Sequence, residues 1–308
     1  MILILSDKSD QHADRVELIL KKNSAEYSRL NLDVDSVKST HVLIENNSFR
    51  IEAPNCSFST SQIEAVWNRS VRIDQFVGDR SNNLSNFLTG KEDWNKTLEG
   101  LYSSLESTKW LNLYEDFYNG RELSHDSPVR NIGLKWPSSI CSNDINYLNT
   151  LFKTKKDHIL KLMDQGCYTN TSEVCTVKCS EMMGSPSSGE NKDSYCPSKN
   201  GTIQVRCSVV GKEYFVGRIK GKINEKGQLI QTNTTAYSEI HPPASIKAKA
   251  IQILTELNLS FGVFDFIVTD KGEWLFDALN PMGQYQWIED MNAKDISSSI
   301  AKWLMMNN

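Results

Sequence analysis

The chain has 308 residues, 39% of them hydrophobic and 23% charged, with a formal net charge of −4. That length holds two or three domains with ample core, and the mildly acidic balance argues against a surface built for nucleic acid. The apolar start "MILILS" is too short for a signal peptide or a membrane span, and no longer apolar run follows, so a cytoplasmic protein without a membrane partner is expected. The seven cysteines are odd in number in a long chain, which favours free thiols over a disulfide framework. Cys175 and Cys179 lack a second close pair that would complete a zinc site.

"MILIL" reads as a buried strand, and "HADRVELILKK" as a helix with Val16, Ile19 and Leu20 at helical spacing. "EYSRLNLD" returns as a strand. "HVLIE" and "SFRIEA" flank Asn46-Asn47, a hairpin-like pair, and "EAVWNRS" is a further strand with a polar end. Leu84, Phe87, Leu88, Trp94, Leu98, Leu101 and Leu105 mark helical segments. A βα start followed by short strands predicts an open α/β domain, and the absence of G-x-G-x-x-G after the first strand disfavours a dinucleotide fold. A boundary is expected near "STKWLNLYEDFYNGRE". "NDINYLNTLFKTKK" reads as a helix capped by Asn143 or Asp144, and "DHILKLM" as a short strand carrying Lys161. "MMGSPSSGENKDSYCPSKNG" has the polar, Gly/Ser/Pro-rich composition of a mobile loop. "TIQVRCSVV" and "EYFVGRIKGKI" form a hairpin across Gly211-Lys212. "PASIKAKAIQILTELN" is a helix with Ile246, Ala250, Ile251 and Leu254 on one face. "FGVFDFIVT" and "EWLFDALNP" form the last hairpin, across Asp270, Lys271 and Gly272.

That last hairpin permits a register calculation. With the turn centred between Lys271 and Gly272, residue 278 lies opposite Asp265, and directly opposite residues share a face. Asn280 is then the diagonal neighbour, so Asp265 and Asn280 converge with Ala278 between them. Two oxygen donors of this kind suit magnesium, which takes hard oxygen ligands alongside nucleotide phosphates. The alternative is a hairpin with a surface Asp and a turn-forming Asn before Pro281. Strict alternation would aim Asp277 at the opposite face unless a bulge rotates it.

The order of these pieces resembles the ATP-grasp ligases that modify ribosomal peptides, the microviridin (graspetide) and grasp-with-spasm maturases. "MILIL" with "YSRLNLD" is similar to their pre-grasp domain, "VWNRS" to their Trp-x-Arg-Arg segment, and "WLN" with "IGLKWPSSICSND" to the start of their central domain. "HILKLM" resembles the strand whose lysine touches ATP phosphate, "QVRCSVVGKEYFVGRI" the strand pair with an active-site Arg, and "LSFGVFDFIVTDKGEWLFDALNPMGQYQWIE" the metal-binding strands. The resemblance implies mixed α/β and α+β architecture: an ATP-grasp fold with a pre-ATP-grasp α/β domain over 1–112, a small central domain over 113–195 and a C-terminal domain over 196–308. It implies ATP and magnesium as cofactors, a precursor peptide as partner, and a homodimer. It assigns Arg206 a catalytic role on phosphoryl oxygens, Lys161, Arg121 and Tyr195 to nucleotide, Asp265 and Asn280 to metal, and Trp67 and Arg69 to the peptide side. On the residues alone, Lys161 reads more readily as a solvated lysine and Arg206 as part of a structural ion pair.

Five departures stand against the family pattern, one of them that Arg121 stands in for the usual lysine near the start of the central domain. Ala278 replaces the metal-binding Glu, Ser70 a second Arg, and Tyr195-Cys196 the Phe-Gln pair near adenine; no Asp-x-Arg follows "GRIKGKI". The expected function is an ATP-dependent ligase that joins peptide side chains as esters or amides through an acyl phosphate. The alternatives are a degenerate ATP-grasp protein that binds a peptide or partner enzyme, and a ligase for free amino acids or small peptides.

Overall fold

The computed structural model describes residues 1–46, 48–69, 84–113, 131–136, 140–142, 158–162, 193–197, 203–219, 221–223, 229–231, 240–292 and 295–306. The N-terminal part is an open parallel sheet in the order β2-β1-β6-β7, with β1 at Ile2–Ser6, β2 at Tyr27–Asn31, β6 at Ala65–Asn68 and β7 at Lys109–Trp110. β1 is buried along its whole length because both faces are covered. Ile2 and Ile4 face one core with Ala65 and Trp67; Leu3 and Leu5 face another with Val66. Helix α1 (Gln11–Lys22) covers the first face with Ala13, Val16 and Leu20; its N-cap Asp10 accepts from His12 N at 2.9 Å. Ile19, expected on that face, packs at its margin.

The second face carries helix α3 (Leu84–Ser104) and an antiparallel sheet β3-β4-β5 (His41–Glu45, Ser48–Ala53, Cys56–Ser59). The β3–β4 hairpin forms where Asn46-Asn47 predicts it. Asn46 takes the positive φ of 49° that Asn tolerates; Asn47 lies outside the described residues. Helix α2 spans Val34–Lys38.

A three-stranded antiparallel sheet, β8-β10-β9 (Ile140–Ser142, Asp193–Pro197, His158–Leu162), marks the central part. The expected helix over 143–156 and most of the Ser/Gly/Pro-rich loop lie outside the described residues. The C-terminal part is an antiparallel sheet β12-β11-β15-β16, with β11 at Ile203–Val210, β12 at Glu213–Ile219, β15 at Phe261–Val268 and β16 at Trp274–Asn280. β13 (Gly221–Ile223) and β14 (Leu229–Gln231) pair separately. Gly211 and Gly272, at φ 56° and 75°, turn the two predicted hairpins. Helix α4 (Ala244–Glu256) covers one face of this sheet with Ile246, Ala250, Ile253 and Leu254. Ile253 is buried in the place expected for Ile251, and Ile251 lies at the rim: at about 100° per residue, 246, 250, 253 and 254 share a narrower arc of the helix than a set that includes 251.

The other face of the C-terminal sheet packs onto the N-terminal part. Phe261, Val263 and Tyr285, with Ile296, Ile300, Ala301 and Leu304 of helix α6 (Ile296–Met305), share one core with Ile2, Ile4 and α1. Helix α5 (Gln286–Asn292) precedes α6. The first and last parts of the chain are therefore held together by buried apolar surface, which fixes the end of β16 against β6 and α1.

Candidate functional site

Residues 206, 208 and 210 of β11 and 261, 263 and 265 of β15 share a sheet face, since Arg206 pairs with Asp265, Ser208 with Val263 and Val210 with Phe261. At one end that face is apolar: Val210, Phe261 and Val263 enter the shared core. Two residues further along it becomes ionic. Arg206 Nε donates to Asp265 Oδ1 at 2.7 Å and Nη2 to Oδ2 at 2.9 Å, a two-pronged pair with the side chains 16% and 25% exposed. Burial works against the charge on Arg206, but Asp265 and then Asp277 outweigh it and raise its pKa.

The Asp265 partner is Ala278, as the sequence register predicts. The pairing slips beside it: Phe266 pairs with Phe276, so Asp277 and Ala278 both stand against Asp265 in a β-bulge. Phe276 and Leu279 both lie in the core under α4, three residues apart. The phase of alternation has shifted by one between them. Asp277, expected on the far face, stands where its charge acts on Arg206, on the side of Asp265.

β16 ends in the turn that carries Asn280. Asn280 Oδ1 accepts from Met282 N at 2.9 Å, and Gly283 N donates to Asn280 O at 3.1 Å. Asn280 pairs with Val263 and is exposed, diagonal to Asp265 as expected. A Cβ on Gly283 would sit 2.3 Å from Val263 Cβ, so this turn approaches β15 only because position 283 is Gly.

The N-terminal part grips the same turn. Asn112 Nδ2 donates to Phe261 O at 2.9 Å and Pro281 O at 3.0 Å, while its Oδ1 accepts from Ser260 N and Phe261 N at 2.9 and 3.0 Å. Arg69 Nε donates to Asp10 Oδ2 at 3.0 Å and Nη1 to Met282 O at 2.9 Å. The Arg69 side chain is 7% exposed, and its Cζ lies 5.7 Å from the centre of the buried Trp67 ring. Trp67 is part of the shared core, and Arg69 ties the end of β6 to the Met282 turn. Burial disfavours the charge on Asp10, yet Arg69 holds its pKa down to about 2. Burial and Arg69 together push His12 down to about 3, which keeps it neutral against the Tyr285 ring at 4.5 Å. Arg15 reaches Glu289 and Asp290 at 3.2 and 2.6 Å.

Lys161 lies in β9 opposite Ser194, and Tyr195 in β10 opposite Leu160, so Tyr195-Cys196 is part of a strand. Their side chains and the whole of Arg121 lie outside the described residues. Among the described residues no three His, Cys, Asp or Glu side chains converge as a metal site. Asp265, Asp277 and Asn280 carry the oxygen types that magnesium takes beside nucleotide phosphates, with the Asp265 oxygens accepting from Arg206 and Asn280 Oδ1 from Met282 N. Sequence reasoning missed the roles of Asp10, His12 and Asn112, whose partners are distant in the chain. Asp277 did leave a signal: Phe276 and Leu279 are both large and apolar at odd spacing.

No family model and no curated protein matches the sequence. Solved structures do match over nearly the full length. MdnC from Microcystis aeruginosa MRC, a macrocyclase bound with precursor peptide MdnA, has a TM-score of 0.80 at 16% identity over 100% of each chain. A Chryseobacterium gregarium RiPP-associated ATP-grasp ligase, in complex with ADP and a leader and core peptide, has a TM-score of 0.72 at 18% identity, covering 98% of this chain and 96% of its own. The ATP-grasp ligase PsnB, complexed with minimal precursor, Mg and ADP, has 0.71 at 16%, covering 99% and 97%. The chain has the ATP-grasp fold, from its N-terminal parallel sheet to its last helix.

Proposed function

We propose that the protein is an ATP-dependent ligase that modifies carboxylate side chains of a ribosomally made precursor peptide, closing esters or amides. The carrying observation is the Arg206–Asp265 pair beside the Asn280 turn: an arginine fork and hard-oxygen donors on one sheet face, set in a fold shared end to end with peptide macrocyclases. ATP supplies the phosphoryl group that turns a carboxylate into an acyl phosphate, which a hydroxyl or amine then attacks. Arg206, held by Asp265 through Nε and Nη2, would turn its remaining Nη1 edge to phosphoryl oxygens, where charge develops. Lys161 and Arg121 would add positive charge at the nucleotide, Tyr195 would flank the base, and Asp265 and Asn280 would hold magnesium. Trp67 and Arg69 shape the peptide side by fixing the Pro281–Gly283 turn. A cytoplasmic homodimer accompanies this reading.

The test is to supply ATP, magnesium and a Thr/Ser- and Asp/Glu-rich peptide encoded beside the gene. ADP release with loss of water from the peptide is expected. Nucleotide binding without either product favours the second reading, a weak or inactive ATP-grasp protein that binds peptide. That reading draws on Ala278, the methyl group opposite Asp265.

A further inference from the structure

We infer that Asp277, turned onto the Asp265 face by the β-bulge, is the acidic ligand for nucleotide-bound magnesium in the place left by Ala278. The inference deepens the ligase reading and rests on it. Three features of the strand lead there. Asp277 and Ala278 together oppose Asp265, so the pair occupies a space that one residue fills in a regular ladder. Phe276 and Leu279 are both anchored in the core, which pins the bulge from either side and leaves residues 277 and 278 no place on that face. The charge of Asp277 reaches Arg206, whose guanidinium lies on the Asp265 face.

The charge balance makes the acid consequential. Both oxygens of Asp265 accept from Arg206, so that pair alone is neutral and attracts a dication weakly. Arg206, Asp265 and Asp277, taken as three groups, sum to one negative charge. A hard dication draws most of its binding from charged oxygen, and one or two carboxylates plus phosphates are its usual complement in nucleotide sites. If Asp277 served only as a further partner of Arg206, its loss would disturb nucleotide binding equally with and without metal.

The experiment measures ADP binding by calorimetry in excess magnesium and in EDTA, for the natural protein and Asp277→Asn. The expected result is that the magnesium-dependent gain in affinity falls by at least about tenfold, the scale of losing a partner at a metal site, while affinity in EDTA holds. An unchanged gain, or an equal fall under both conditions, overturns the assignment. Failure of the natural protein to bind ADP overturns the ligase reading and this assignment with it. A second measurement needs no variant: ferrous ion and ascorbate with ADP, followed by mapping of oxidative backbone cuts. Cuts beside both Asp265 and Asp277 are expected; cuts beside Asp265 with none at Asp277 refute the inference.

Discussion

Asn112 joins the end of the N-terminal sheet to both strands of the candidate site, and its removal should be costly. Its amide group makes four hydrogen bonds of 2.9–3.0 Å to Ser260, Phe261 and Pro281, at 4% exposure. Asn112→Ala strips a partner from the buried N–H and carbonyl of Phe261 and from the partly buried Ser260 N and Pro281 O, of which Ser260 N keeps Leu111 O at 3.2 Å. Each such loss costs about 1–3 kcal/mol, but Phe261 also pairs with Val210, so its share is smaller. We expect a net loss of roughly 2–4 kcal/mol, a large part of the ~5–15 kcal/mol that holds a typical domain. Urea unfolding at pH 7, followed by tryptophan fluorescence, measures it. Asn112→Asp sharpens the test. An ionised carboxylate keeps the two bonds to Ser260 N and Phe261 N, but sets a negative oxygen against the carbonyls of Phe261 and Pro281. Its protonated form would donate again, so this variant should recover stability relative to the natural protein as pH falls. A loss below about 1 kcal/mol for Asn112→Ala, or an Asp variant indifferent to pH, would refute the bolt-like role of this side chain.

His12 is held near 3 against an ordinary 6.5, so the unfolded chain takes up a proton that the folded protein refuses, and stability falls as pH drops from 6.5 towards 3. The slope is about 1.4 kcal/mol per pH unit, and His12→Phe should flatten it in urea titrations between pH 7 and 4.5; an unchanged slope refutes the assignment. Asp10, held at about 2, adds its own loss only below about pH 4, its ordinary range. Gly283→Ala places a methyl 2.3 Å from Val263 Cβ, which cannot rotate away, so the Asn280 turn must shift at a cost of about 1–3 kcal/mol or more in unfolding free energy; a variant as stable as the natural protein would show that the turn is loosely held. Lys161→Ala should weaken ATP binding by about 1.5–3 kcal/mol in calorimetry, and an unchanged dissociation constant in a folded variant removes Lys161 from the nucleotide site.

What the sequence determines here is local. Turn chemistry names the hairpins, because Asn46, Gly211 and Gly272 adopt positive φ with little penalty. Helical and strand periods name α1, α4 and β1, and counting from the Gly272 turn places Ala278 opposite Asp265. Those features depend on residues a few positions apart. The bulge at Asp277 depends instead on which of Phe276, Leu279 and their neighbours the α4 core accepts, and alternation alone misplaces Asp277 for that reason. The family pattern assigns Trp67 and Arg69, at a strand end, to the peptide side, but it does not name their neighbours. The packing of the C-terminal sheet onto β6 buries Trp67 and binds the Arg69 side chain to Asp10 and Met282. Asn112 reaches partners about 150 residues away, and the His12 pocket closes only when Tyr285 arrives. Such contacts arise from the joint burial of distant apolar faces, and no window of sequence carries them; tertiary structure alone decides which polar groups lose water and must find each other.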